Sequence, residues 1–295
     1  FSTLLIAGPV REIKQSLSIP IVVTLQGDDI FLESLSQPIR SRIVSEMQEL
    51  AKVVDRFIVH SHFYAEKMTR YFNISPDRIS QVPLGIDATD YLHAASQDRK
   101  QADTRPGRRI GYLARICPAK GLHLLIDAFI KLKQQSSFDD LKLWVAGDLS
   151  ETDRSYFEAQ EQKIKKAGFN DDFYYAGRLS RPAKIDFLRQ LDLFSVPAPY
   201  QEPKGRYVLE ALASGIPVVQ PAHGAFPELL ARTGGGQLFS VDDSGALTEV
   251  LANLVTNHEV RSRLAKEGPE GVTATACADH AAQATMDIYR QILSD

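Results

Sequence analysis

Glu202 and Glu210 stand with seven residues between them in the stretch Glu202-Pro203-Lys204-Gly205-Arg206-Tyr207-Val208-Leu209-Glu210. A carboxylate accepts several hydrogen bonds, so it suits a vicinal diol. Pro203 and Gly205 are costly inside a helix, which puts a helix start near Gly205. Free amides and a positive dipole end at such a start attract phosphate, and Gly205 allows a ligand close to the backbone. A ligand combining sugar, ribose and phosphate would use all three features. Spacing alone leaves a plainer alternative, in which Glu202 complements the helix dipole and Glu210 is a solvated helix residue.

Arg115 and Lys120 form a second group, in the loop of Gly111-Tyr112-Leu113-Ala114-Arg115-Ile116-Cys117-Pro118-Ala119-Lys120-Gly121. The helix expected over 122–133 follows at once. A lysine at a helix start opposes the dipole, and a local rule broken in this way points to function. Two cations over a loop at the carboxyl end of a parallel strand would neutralise a diphosphate; the alternative is two solvated surface charges. A third group is Gln26-Gly27-Asp28-Asp29, expected as a loop at the carboxyl end of a strand, where Asp28 or Asp29 could meet a ligand or serve as a turn or helix cap. His60 and His62 have no cysteine or carboxylate at ligand spacing, which argues against a metal site there.

The elements that must hold these groups alternate between strand and helix. In the first part, strands are expected at 19–25, 56–60 and 78–82. Helices are expected over 1–15, after Pro38 within 36–54, and over 63–71. A polar stretch with almost nothing to bury, 92–108, reads as a linker. The alternation then restarts, with strands near 110–114, 141–146, 173–176, 193–196, 218–220 and 237–239. Gly215 stops the helix that began near Gly205, and 258–295 is helical. Repeated strand–helix units with apolar strands mean a parallel, doubly wound α/β sheet in each part.

Bulk properties narrow the class. The chain has 295 residues, enough for two domains, and a net charge of −3 without a long block of either sign. That balance argues against nucleic acid as the main partner. Cys117 and Cys277 are the only cysteines, no disulfide framework, which fits a reducing cytoplasm. No apolar run approaches the ~18 residues that span a bilayer, and Phe1 to Gly8 lacks the flanks of a signal peptide.

The two glutamates, the internal Gly205 and the following Ala211-x-Ala213-x-Gly215-x-Pro217-Val218 resemble the nucleotide-sugar site (EX7E motif) of retaining family 4 glycosyltransferases. The resemblance continues through Gly224-Ala225-Phe226-Pro227-Glu228 and Gly234-Gly235-Gly236. It implies the GT-B fold: two Rossmann-like domains facing across a cleft. The expected parts are an acceptor-side domain at 1–91, incomplete at its N-terminus, a linker at 92–108, a nucleotide-sugar domain at 109–278, and a helix at 279–295 crossing back to the first domain. By the same resemblance, Arg115 and Lys120 hold the donor diphosphate and, with Glu202, form the catalytic set. Glu202 takes hydroxyls of the donor sugar and Glu210 takes the ribose. Gly205, Arg206 and Tyr207 add backbone amides; Lys204 and Arg206 depart from the family, where these positions are often apolar, and are expected to touch the donor sugar or an acidic acceptor.

The acceptor side is Gln26, Gly27 and Asp28. Gln26 departs from the histidine many relatives carry there; glutamine can bind a sugar hydroxyl but cannot act as a general base. Leu84 likewise replaces a frequent asparagine. The implied activity is retaining transfer from a UDP- or GDP-sugar to a sugar or lipid-linked acceptor, in polysaccharide, glycolipid or glycoconjugate synthesis. No metal or cofactor is expected besides the nucleotide-sugar co-substrate. The implied location is cytoplasmic, with at most peripheral contact at the inner membrane face. A nucleotide-sugar epimerase, a phosphorylase, or an inactive nucleotide-sugar-binding module could share the fold.

Overall fold

The computed structural model describes residues 1–97 and 107–294. They form two compact units: Phe1–Gly85 with the C-terminal helix, and Ile86–Cys277.

The first unit is a parallel sheet in the order β1 (Val22–Thr24), β2 (Arg56–Val59), β3 (Ile79–Gln81). Around it lie α1 (Val10–Leu17), α2 (Asp28–Glu33), α3 (Ile39–Ala51) and α4 (His62–Phe72). Phe57, Ile58 and Val59 are all buried, the continuous apolar run expected of a strand covered on both faces. Val23, Leu25, Leu32, Tyr64, Met68 and Phe72 complete the core. Ser61 caps α4, its hydroxyl accepting from the Tyr64 amide at 3.2 Å.

The second unit begins with α5 (Thr89–Gln97) and then carries β4 (Arg109–Leu113), α6 (Leu122–Lys133), β5 (Lys142–Ala146), α7 (Arg154–Lys166) and β6 (Phe173–Tyr175). It continues with α8 (Arg181–Arg189), β7 (Leu193–Ser195), α9 (Arg206–Ala213), β8 (Val218–Pro221), α10 (Phe226–Thr233), β9 (Gly236–Phe239), α11 (Ala246–Thr256) and α12 (His258–Thr275). The six strands are parallel, in the order β6-β5-β4-β7-β8-β9. The chain therefore winds one way from β4 and, on returning, the other way from β7. The final helix, α13 (Ala278–Ser294), belongs with the first unit.

Three expectations are corrected. The N-terminal stretch is not one helix: a short 3-10 turn at Leu4–Ile6 precedes α1, because Gly8 and Pro9 interrupt between them. Gln26–Asp29 is not all loop, since Asp28 and Asp29 form the first turn of α2, where acidic residues suit the dipole. The expected linker begins too early. Residues 92–97 are helical, with Tyr91 and Ala94 buried against the second unit, and the first unit ends at Gly85. The linker's remainder at 98–106 lies outside the described residues. Among the described residues, no helix is long and apolar enough to cross a membrane.

Candidate functional site

The strand order fixes where a ligand can sit in the second unit. β4 and β7 are neighbours whose chains leave in opposite directions, so the loops after them part and open a crevice at their carboxyl ends. Those two loops carry Arg115, Lys120 and Glu202.

The loops are locked together at Gly121. It sits at φ +74°, and an added Cβ would lie 2.0 Å from the carbonyl oxygen of Pro197 in the β7 loop. Only glycine permits that approach. Gly224, at φ +62°, lets the β8–α10 turn pass the backbone of Glu202 in the same way, and the Ala225 amide donates to the Glu202 carbonyl at 2.8 Å. Glu202 is thus held from both sides by backbone.

The Lys120 ammonium forms an ion pair with the Glu202 carboxylate. Their side chains are only 11% and 7% exposed. Lys120 also donates to the Tyr200 hydroxyl at 3.2 Å and lies 4.8 Å from the Tyr200 ring centre and 5.2 Å from that of Tyr207. The Tyr207 hydroxyl donates to Glu202 Oε2 at 3.2 Å. Burial, and next the charge of Glu202, push the Tyr207 phenol well above its usual range, so it stays a neutral donor.

Two helix starts face this cluster in sequence. α6 and α9 are each preceded by a left-handed glycine, Gly121 and Gly205, with no side-chain cap and no acid in the first turn. At α9 the first amides have no side-chain acceptor among the described residues, the arrangement that takes an anion, whereas at α6 the His123 amide donates to the Tyr156 hydroxyl at 3.1 Å.

Glu210, on α9, is 5% exposed between Leu209 and Ala211. The solvated alternative for it fails. Its Oε1 accepts from the Lys184 ammonium of α8 at 2.8 Å and lies 3.4 Å from Arg206 Nε. Arg206 itself is mostly exposed, and Lys204 is half-buried. Arg115 is exposed, its carbonyl accepting from the Tyr112 hydroxyl at 3.1 Å, and its side chain forms no ion pair among the described residues. The fold thus joins Lys120, Glu202 and Tyr207 directly and leaves Arg115 outside that contact.

Tyr200, Lys184 and Tyr91 are additions that the sequence reading lacked. A signal for Lys184 existed. α8 opens with Arg181 and Lys184 and no acid, the same opposition to the dipole that drew attention to Lys120.

In the first unit, the Gln26 side chain donates to the Ser2 carbonyl at 2.9 Å. Gly27, at φ +116°, donates its amide to the Tyr64 hydroxyl at 2.8 Å. Asp28 is buried and braces the N-terminus, accepting from the Thr3 hydroxyl, the Leu4 amide at 2.9 Å and the Gln26 amide at 3.0 Å. Both of its oxygens are engaged within the fold. Asp29 is likewise buried, accepting from Tyr64 at 2.7 Å and pairing with Lys67 at 2.6 Å. Burial, and next the Asp29 charge, push the Tyr64 phenol up. Among the described residues no three metal-ligating side chains converge.

A parallel sheet of this winding, with cations and carboxylates at its switch point, defines a doubly wound α/β unit; the two-sheet architecture is that of GT-B proteins. Residues 95–271 match the family described as glycosyl transferases group 1, and residues 2–90 match glycosyltransferase family 4. The chain belongs to the glycosyl transferases group 1. It is 28% identical over 193 residues to a phosphatidyl-myo-inositol mannosyltransferase of Mycobacterium leprae, covering 65% of this chain and 48% of that protein. It is 28% identical over 203 residues to the lipopolysaccharide core biosynthesis glycosyltransferase LpsE of Rhizobium meliloti, covering 67% and 53%. The structure of Anabaena HepE in complex with UDP superposes with a TM-score of 0.79 at 20% identity, over 96% of this chain and 74% of that one. The chain spans about half the length of the curated relatives it matches.

Proposed function

We propose that this chain carries the donor site of a glycosyltransferase that moves a sugar from a nucleoside diphosphate to an acceptor hydroxyl. The observation that carries the reading is the buried Lys120–Glu202 pair under Tyr200 and Tyr207, in the loops that lead into α6 and α9. Such a place offers positive charge and amides to a diphosphate and a carboxylate to sugar hydroxyls. Arg115 supplements Lys120 at the diphosphate, Glu202 takes donor-sugar hydroxyls, and Glu210 takes the ribose. Amides of Gly205, Arg206 and Tyr207 complete the phosphate seat, with Lys204 and Arg206 at its rim. Complexes of HepE with UDP, glucose and UDP-glucose support a nucleotide-sugar donor. Relatives named for phosphatidyl-inositol and lipopolysaccharide-core transfer support a sugar or lipid-linked acceptor.

The transfer retains configuration and needs no metal. The acceptor oxygen bonds to the anomeric carbon as the bond from that carbon to the β-phosphate oxygen breaks. The acceptor proton passes to the departing phosphate, so no protein base is required, and Gln26 in place of histidine is compatible with turnover. Gln26 and Gly27 present the acceptor side, with Asp28 fixing their backbone.

Titration calorimetry of the chain with UDP, GDP and ADP tests this reading, alongside Lys120→Ala and Glu210→Ala. One nucleotide binds, and both substitutions weaken it by tenfold or more, roughly the worth of one charge-assisted hydrogen bond. A folded chain that binds none of the three sinks the donor-site assignment.

A further inference from the structure

Glu210 is held by a side chain from a different element. The Lys184 ammonium of α8 reaches Glu210 Oε1 at 2.8 Å, with the two side chains 21% and 6% exposed. Arg206 approaches the same oxygen, at 3.4 Å. Oε2 has no partner among the described residues. The carboxylate is therefore tied at one oxygen and open at the other.

The seat of Lys184 is itself built. Tyr91 of α5 is 1% exposed. The Arg181 guanidinium lies 5.1 Å from its ring centre and the Lys184 ammonium 5.9 Å. Arg181 in turn is anchored on α5 and the segment before it, pairing with Asp90 at 2.9 Å and Asp87 at 3.0 Å. Arg181 and Lys184 lie in the opening turn of α8, where the dipole opposes them. Arg181 ties α5 to α8. Lys184 instead spends its charge on a carboxylate that the fold could have left to solvent.

We propose that Lys184 is a positioning residue: by holding Oε1 of Glu210 against the Tyr91 seat, it presents Oε2 to a ribose diol and sets the preference for a ribonucleotide over its 2′-deoxy counterpart. The inference rests on the donor-site reading above and names a determinant within that site. A carboxylate locked in rotation discriminates a diol from a single hydroxyl, because both acceptor directions must match at once. A carboxylate free to rotate satisfies one hydroxyl nearly as well as two. Lys184 touches no reacting bond, so its effect appears in sugar discrimination and not in general affinity.

The test is titration calorimetry of the full chain with UDP, 2′-deoxy-UDP, GDP and 2′-deoxy-GDP, for the unaltered protein, Lys184→Met and Lys184→Arg. The unaltered chain binds one ribonucleotide about tenfold tighter than its deoxy form, roughly one charge-assisted hydrogen bond. Lys184→Met brings that ratio to within about twofold, while affinity for the deoxy form changes little. Lys184→Arg, which keeps a cationic donor, restores most of the ratio. If Lys184→Met does not fold, Lys184→Gln takes its place with the same expectation. An unchanged ratio in a folded variant, or an equal loss for both sugar forms, overturns the inference and leaves the donor site standing. No binding of any of the four by the unaltered, folded chain overturns the donor-site reading and this inference with it.

Discussion

Lys120 and Glu202, 82 residues apart in sequence, meet as a buried ion pair at the carboxyl ends of β4 and β7. Neither charge is solvated enough to stand alone. Removing one partner leaves the other uncompensated, which typically costs about 3–5 kcal/mol, whereas replacing both with apolar residues is often neutral or stabilising. Lys120→Met and Glu202→Met each lower stability in urea unfolding, and the double variant recovers most of it without recovering nucleotide binding. Additive losses in the double variant would falsify the pairing.

Arg115 is the contrasting case. It is exposed and unpaired among the described residues, so Arg115→Ala leaves the urea midpoint within the usual ±0.5 kcal/mol of a surface change. Its expected effect lies in the ligand: affinity for a nucleoside diphosphate falls by roughly tenfold, and for the monophosphate hardly at all. Equal loss for both would remove Arg115 from the diphosphate site.

Asp28 serves the first unit by joining the N-terminal turn to the start of α2. Asp28→Ala leaves the Leu4 and Gln26 amides without their acceptor, which costs about 1–3 kcal/mol for such buried groups. Hydrogen exchange reads this as lost protection at those amides. Nucleotide affinity stays unchanged, since the donor residues all lie in the second unit.

His123 and His223 give the second unit an acid limb. Burial is the first cause that holds both imidazoles below the ordinary value of 6.5. The Tyr156 hydroxyl accepts from the His123 amide at 3.1 Å and lies 2.9 Å from His123 Nδ1. Below 6.5 the unfolded chain therefore binds protons that the folded chain does not, and stability falls as pH drops through that window. Each group contributes a slope of at most about 1.4 kcal/mol per pH unit. Unfolding midpoints between pH 7 and 5 should be less steep in His123→Gln than in the unaltered protein; an identical slope would discharge His123 from this role.

Residue type and spacing were enough for the alternation of strand and helix, because each pattern is local. Phe57-Ile58-Val59 is apolar throughout because both its faces are covered, and Gly205 and Gly215 bracket α9 as a glycine start and stop. The resemblance of the Glu202–Glu210 stretch likewise pointed to the family that residues 95–271 match. Boundaries failed where local cues misled. Residues 92–97 read as the start of a linker, yet they continue the helix Thr89–Gln97, because Tyr91 and Ala94 find cover on the second unit.

What only the tertiary structure decided is which charges neutralise one another. Sequence marked Lys120 as a phosphate cation and Glu202 as a sugar acceptor, each alone. The fold pairs them, because β4 and β7 are neighbours and Gly121 brings their loops into backbone contact. Glu210 read equally well as a solvated helix residue until burial and Lys184 removed that option. Asp28, a ligand contact by sequence, became an internal brace when the N-terminal turn supplied its donors. Helix and strand propensities act over a few residues, whereas a buried charge is stabilised by whatever the sheet order carries to within hydrogen-bond distance.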